Sequence, residues 1–140
     1  MENEKELLET LKDWQFWKKE IARLKVDLKS QEYRITTSFS EAKCFPSGMT
    51  VSKVENYALL VTEIKDEIDS IKNRLLQCVR AYDKADLTKL ERLTISYTCS
   101  RKSLLQLSKD LGMAQARIYR IRDRAVKKMY IEIRNEAKKR

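Results

Sequence analysis

The chain has 140 residues, of which 36% are charged, and it contains two glycines and one proline. A chain of this length can build one ordinary domain, or a small domain with an extended helical arm, but it excludes the two large cores of a two-domain enzyme. So little Gly and Pro argues against a sheet protein, which needs frequent tight turns, and predicts an all-α fold.

The net charge of +9 is confined to the C-terminal end of the chain. Residues 1–100 contain 17 basic and 17 acidic side chains, whereas residues 101–140 contain 13 basic and 4 acidic ones. Positive charge gathered on one segment favours binding to a polyanion, because neutralised phosphates release condensed counterions. The alternative is a basic tail that only keeps the chain in solution.

The composition offers little for catalysis or metal binding. Cys44, Cys78 and Cys99 are widely spaced and the chain has no histidine, so we expect no metal site, no disulfide framework and no cofactor. A nucleotide-binding glycine loop is absent too, and we expect no catalytic residues and no enzymatic activity. No apolar run approaches the roughly 18 residues of a membrane span, which predicts a cytoplasmic protein without a membrane partner.

Residues 1–85 are predicted to form a long helical hairpin, a coiled-coil-like N-terminal arm. Apolar residues recur at steps of three and four from Leu7 to Leu28, which predicts a first helix over residues 4–32. Residues 34–50 break this period and concentrate Ser, Thr and the single Pro, so they are predicted to form the connecting loop.

A second helix is predicted over residues 53–84, because Ser52 and Glu55 have the spacing of a capping box. A heptad stripe follows in strict steps of four and three. Such a narrow apolar stripe must be covered by another helix, either the first helix or a second copy of the chain. The stripe consists of Tyr57, Val61, Ile64, Ile68, Ile71, Leu75, Cys78 and Tyr82.

Residues 86–133 are predicted to form a helix-turn-helix domain and residues 134–140 a basic tail. Its first helix begins with the capping pair Thr88 and Glu91 and ends near Tyr97.

A second, short helix is expected after the link of residues 98–102. Ser103 and Gln106 predict a capping box at its start, and Gly112 predicts a left-handed turn at its end, because glycine lacks a Cβ.

The last helix combines an apolar side with a strongly basic one. Ile118, Ile121, Ala125 and Met129 fall on one side and are predicted to face the core. A short helix, a glycine turn and a longer helix with a cationic outer surface are the elements that reading the major groove requires.

Residues 103–130, SLLQLSKDLGMAQARIYRIRDRAVKKMY, resemble region four of bacterial sigma factors, which recognises an upstream promoter element. The whole layout resembles the ArpU/RinA-type phage regulators of late packaging and lysis genes. The sigma resemblance implies base-reading roles for Gln115, Ala116, Tyr119 and Arg120. Further cations are expected to contact phosphates: Arg101, Lys102, Arg117, Arg122, Arg124, Lys127 and Lys128.

These features predict a dimeric activator that binds double-stranded DNA upstream of a promoter and engages RNA polymerase, in the host bacterial cytoplasm if the gene belongs to a phage. No counterpart of the sigma domain that captures melted strands is present, so a complete sigma factor is not expected. One alternative is a small terminase-like subunit that assembles into rings for genome packaging. Another is a structural coiled-coil protein with nonspecific nucleic-acid binding.

Overall fold

A computed structural model describes the backbone of residues 3–44 and 48–139 and the side chains of residues 3–34 and 55–139. The described residues form helices and no strand, which confirms the predicted all-α class. In chain order the helices are α1 (Glu4–Lys12), α2 (Trp14–Cys44), α3 (Gly48–Lys84), α4 (Lys89–Cys99), α5 (Leu104–Leu111) and α6 (Gln115–Lys138).

The predicted helix over residues 4–32 is two helices, separated at Asp13. The break is a single turn residue, whose backbone N–H donates to the Glu9 carbonyl over 3.0 Å while its own carbonyl accepts from Trp17 N–H. It separates α1, which packs against α4 and α6, from the long helix that follows.

The predicted loop over residues 34–50 was wrong over most of its length. α2 continues to Cys44 and α3 already begins at Gly48, so Ser52 lies inside a helix and does not cap it. Ser and Thr are less favourable in a helix than Ala by only about 0.7 kcal/mol per residue or less. Adding residues to a helix that already exists avoids the cost of starting a new one and can outweigh this difference. The remaining loop positions, 45–47, lie outside the described residues.

Residues 18–72 form one compact unit, the arm unit, which contains most of α2 and α3. Leu24 on α2 is 3% exposed, and the ammonium of Lys65 on α3 lies 4.0 Å from the Glu32 carboxylate on α2. All heptad residues of α3 in this unit, from Tyr57 to Ile71, are buried or half-buried. The first of the two predicted partners, a helix of the same chain, therefore covers at least part of the stripe.

The second compact unit, here called the terminal unit, combines residues 3–17 with residues 73–139. The predicted domain boundary at residue 85 is displaced, because α1 and the end of α3 pack with the C-terminal helices. Their shared core consists of Leu7, Leu11, Cys78, Ala81, Ala85, Leu87, Ile95, Ala125, Val126, Met129 and Ile133.

The predicted basic tail of residues 134–140 is helical as far as Lys138. Ile133 is buried, and the Glu136 carboxylate accepts a hydrogen bond from the Lys84 ammonium at 3.4 Å and lies 3.8 Å from the Arg80 guanidinium. The tail was predicted from its net charge. It is helical because Ile133 extends the apolar side of α6 by one more turn.

Of the two capping boxes predicted for α4 and α5, the structure contains the first but not the second. Thr88 and Glu91 form the full capping box, with the Glu91 N–H donating to Thr88 Oγ1 at 3.2 Å and the Thr88 N–H donating to Glu91 Oε1 at 3.4 Å. Ser103 does cap α5, by accepting from the Leu105 N–H. Its predicted box is wrong, because the Gln106 side chain donates to Asp110 instead.

Truncation of Leu7 tests whether α1 belongs to the terminal unit. Leu7 is fully buried, so Leu7→Ala should lower the free energy of unfolding by about 2–5 kcal/mol. Urea unfolding followed by tryptophan fluorescence measures this, because Trp14 and Trp17 both lie in the terminal unit. Leu105→Ala is the matched control: Leu105 is 45% exposed, and its change should stay within about 0.5 kcal/mol. Equal effects of both substitutions would contradict the packing of α1.

Candidate nucleic-acid interface

The turn between α5 and α6 is closed by a left-handed glycine and a serine side chain. Gly112 has φ of 62°, as predicted from the sequence. The Ser108 hydroxyl donates to the Met113 carbonyl over 2.6 Å, and the Met113 N–H donates to the Ser108 carbonyl over 3.0 Å. On either side of this turn, Leu107 and Ile118 are buried, so the two helices share an apolar contact.

The apolar side of α6 faces the core as predicted. Ile118, Ala125 and Met129 are fully buried, and Ile121 is 7% exposed. Burial of this stripe fixes the rotation of the helix, because successive residues are separated by about 100° around the axis. The side chains opposite the stripe therefore point to solvent, including Ala116, Asp123 and Lys127.

All four side chains predicted to read bases are exposed. Gln115 and Tyr119 are not independent, since Gln115 Nε2 donates to the Tyr119 hydroxyl over 3.1 Å. The N-cap residue of α6, Ala114, has no side-chain acceptor, so the N-cap side chain does not satisfy the first N–H groups of the helix. Arg120 makes no hydrogen bond or ion pair with any side chain that the structure describes.

An arginine cleft lies on one side of the exposed face of α6. It has a volume of about 310 Å³ and is built by the start of α4 and the first turns of α6. Arg117 and Arg124, both predicted phosphate contacts, line it together with Arg120 and the buried carboxylate of Glu91. Three arginines from one helix thus converge on one concave surface.

A second concavity, the Lys12 cleft, lies on the other side of that face. It has a volume of about 290 Å³ and is lined by Lys12, Thr98, Arg101, Lys102, Leu104, Tyr119 and Arg122. Three of the predicted phosphate contacts meet here. The sequence did not indicate Lys12, because its approach depends on the packing of α1 against α4 and α6, which no local pattern reports.

Lys128 is bound to a buried carboxylate, although its own side chain is 36% exposed. Its ammonium donates to Glu91 Oε1 at 2.8 Å and to the Asp86 carbonyl at 3.2 Å. Glu91 is 2% exposed, and Lys128 supplies its positive charge because an unpaired carboxylate is costly to bury. The phosphate contact of Lys128 stays a prediction, and it is less favoured than that of Lys127 because the Lys128 charge already neutralises Glu91.

Arg122 is also partly neutralised. Its Nε and Nη2 donate to Asp123 Oδ1 at 3.2 and 3.0 Å, and its guanidinium lies 5.0 Å from the centre of the Tyr119 ring. The side chain is 15% exposed. It is thus a weaker candidate for a phosphate contact than Arg117, Arg124 and Lys127, which have no such partner among the described side chains.

The cysteines that the structure describes do not build a reactive site. Burial raises the pKa of Cys78 to about 12 and that of Cys99 to about 11, so both are neutral thiols at neutral pH. The described residues hold no cluster of three or more Cys, Asp or Glu side chains suited to a metal ion. Over the same residues, no helix is both long and apolar enough to cross a membrane.

Comparisons of the chain with protein-family models, with curated proteins and with solved structures give no match.

Substitution of two neighbouring lysines, Lys128 and Lys127, compares a lysine that pairs with a buried carboxylate with one that faces solvent. Lys128→Ala leaves Glu91 buried without its cation and should lower the free energy of unfolding by about 1–3 kcal/mol. Lys127→Ala, the matched control, should leave stability nearly unchanged because Lys127 is exposed. Urea unfolding at neutral pH measures both, and a stable Lys128→Ala variant would contradict the assigned ion pair.

The ion pair between Lys128 and Glu91 predicts that the stability of the protein depends on pH. Burial alone raises the pKa of Glu91, but hydrogen bonds from Lys128 and Thr88 outweigh it and hold the pKa below its ordinary value of 4.5. The carboxylate therefore stabilises the fold above about pH 4.5, and this contribution is lost as the pH falls through the folded-state pKa. In Lys128→Ala the folded-state pKa of Glu91 should rise, so the variant should lose less stability on acidification than the wild type, as measured by unfolding at a series of pH values.

Proposed function

We propose that this protein is a sequence-specific DNA-binding transcription regulator, and that the N-terminal half of α6 enters the major groove. The observation that carries the proposal is the placement of two basic clefts on opposite sides of the exposed face of α6. Tyr119 lines the Lys12 cleft and Arg120 lines the arginine cleft. A helix in the major groove runs between two sugar-phosphate backbones, so flanking cations on both sides match its surroundings.

The exposed side chains of α6 differ in the bases they suit. The Arg120 guanidinium can donate two hydrogen bonds to guanine, and the Gln115 amide can pair with adenine. The Ala116 methyl or the Tyr119 ring can contact the methyl group of thymine. Arg117, Arg124 and Lys127 then provide the backbone contacts, since their charges are not neutralised by described side chains.

A more specific proposal follows from the resemblance of residues 103–130 to sigma region four. The protein would act as an activator of phage late genes, binding upstream of a promoter and engaging RNA polymerase, as ArpU/RinA-type regulators do. It would bind DNA as a homodimer formed through the arm unit. Ala116 and Tyr119 replace the charged groups that sigma factors often carry there, so the preferred site should differ from the usual promoter element.

Arg120→Ala tests the base-reading role. The variant should lose about 1–3 kcal/mol of binding to a duplex selected from a random library, while its affinity for unselected duplex stays nearly unchanged. Lys127→Ala is the control of equal charge change: it should weaken both duplexes alike and reduce the salt slope of log K by about one. Fluorescence anisotropy over a series of salt concentrations measures both.

Two outcomes would contradict this assignment. Equal losses of Arg120→Ala on selected and unselected duplex would make Arg120 a phosphate contact. A wild-type protein that selects no sequence from the library would favour the nonspecific structural alternative.

The mass in solution tests the proposed homodimer. Light scattering of the free protein should give twice the 16.6 kDa of one chain. This mass should not increase as the protein concentration is raised. A ring of many copies would instead favour a terminase-like packaging subunit, and a stable monomer would contradict dimerisation through the arm unit.

A further inference from the structure

The Lys12 cleft gathers four cations from different parts of the terminal unit. Lys12 comes from the last turn of α1, Arg101 and Lys102 follow the end of α4, and Arg122 comes from α6. Among the residues that the structure describes, no Asp or Glu lines the cleft. Cations brought together without carboxylates repel one another, and a bound anion would relieve that repulsion.

Two of these cations are positioned by aromatic rings. The Lys102 ammonium lies 5.2 Å from the centre of the Tyr97 ring, and the Arg122 guanidinium lies 5.0 Å from that of Tyr119. A ring orients a cation without cancelling its charge, unlike a carboxylate. Arg122 has a carboxylate partner as well, so Lys12, Arg101 and Lys102 provide most of the net charge.

The backbone at Arg101 is held in a conformation that L-residues rarely adopt. Its φ of 58° places it in the left-handed region, and it is the one described residue other than glycine with a positive φ. The turn that imposes this conformation includes the Lys102 N–H, which donates to the Tyr97 carbonyl at 3.0 Å. A glycine would adopt this φ at less cost, so the position tolerates replacement of the arginine by glycine, which removes a cation from the cleft without straining the backbone.

We propose that the Lys12 cleft binds one phosphodiester of the DNA backbone, so that α1 forms part of the DNA-binding surface. The inference rests on the proposed function, because Tyr119 lines the cleft and is also a candidate base contact. A phosphate beside the groove entered by α6 would lie next to this residue. The cleft, of about 290 Å³, has room for a phosphate group.

Lys12→Ala should reduce the salt slope of binding to unselected duplex DNA by about 0.9, the value expected for one lost phosphate contact. Lys5→Ala is the matched control, since Lys5 is an exposed lysine of the same helix that does not line the cleft. Its slope should equal that of the wild type. Arg101→Gly removes a second cleft cation while suiting the left-handed backbone, and it should lower the slope by a similar amount.

A scan with uncharged methylphosphonates identifies the phosphate. In the selected duplex, backbone phosphates are replaced one at a time, and one replacement should weaken the wild type but have no further effect on Lys12→Ala. Such coupling between one side chain and one phosphate is not produced by a general change in charge. Lys5→Ala should remain sensitive to the same replacement.

Four outcomes would overturn the proposal. The first is an unchanged salt slope in Lys12→Ala together with a lowered free energy of unfolding, which would mean that Lys12 only stabilises the C-terminal end of α1. The second is an unchanged slope and unchanged stability. In the third, Lys5→Ala lowers the slope as much as Lys12→Ala. The fourth concerns inorganic phosphate, titrated and followed by ³¹P NMR. If phosphate binds the wild type and not Lys12→Ala, while both proteins have the same salt slope of DNA binding, the cleft is a site for a free phosphate ester.

Failure of this inference is distinct from failure of the proposed function. If Arg120→Ala loses specific binding while Lys12→Ala keeps the wild-type slope, the groove-binding role stands and the cleft assignment falls. If the wild-type protein binds no duplex at all, both proposals fall together.

Discussion

Burial of the apolar stripe of α6 is the constraint on which the terminal unit depends. Ile118, Ala125 and Met129 have no exposed surface, and α1, α4 and α5 all pack against the helix that carries them. Because one stripe is fixed inward, the opposite stripe is fixed outward. The rotation that buries these apolar side chains is therefore the same rotation that presents Ala116 and Lys127 to solvent. The stability of the unit and the surface proposed to meet DNA thus depend on one helix rotation.

The cations of the terminal unit divide into those that pair with carboxylates of the fold and those without such a partner among the described side chains. Lys128 neutralises a buried carboxylate, and Lys84 and Arg80 lie against Glu136. These ion pairs connect α3 and α4 to α6, and because each cation is paired with a carboxylate they add little to the attraction of a polyanion. In the proposed function the unneutralised cations of the two clefts would supply that attraction, and net charge alone does not distinguish the two groups.

Local signals predicted the features that depend on near neighbours. The core face of α6, the cap at Thr88 and the left-handed Gly112 are each specified by residues within a few positions of one another. The predictions failed where distant segments decide. The partner of Lys128 lies 37 positions away at Glu91, and Lys12 reaches its cleft only because α1 packs on helices about a hundred residues further along the chain. No periodicity records such contacts, and Ser- and Thr-rich residues 34–44 became helical by extending α2.

The order of the terminal unit along the chain has a bearing on its biosynthesis. Leu7 and Leu11 are synthesised before α6, which completes their core and starts only at Gln115. At a translation rate of about 5–20 residues per second, the intervening hundred or so residues take roughly 5–20 s to make. For that interval the apolar side of α1 lacks its native cover and is open to chaperones or to aggregation. Long-range closure of this kind also slows folding relative to helical bundles whose contacts are sequential.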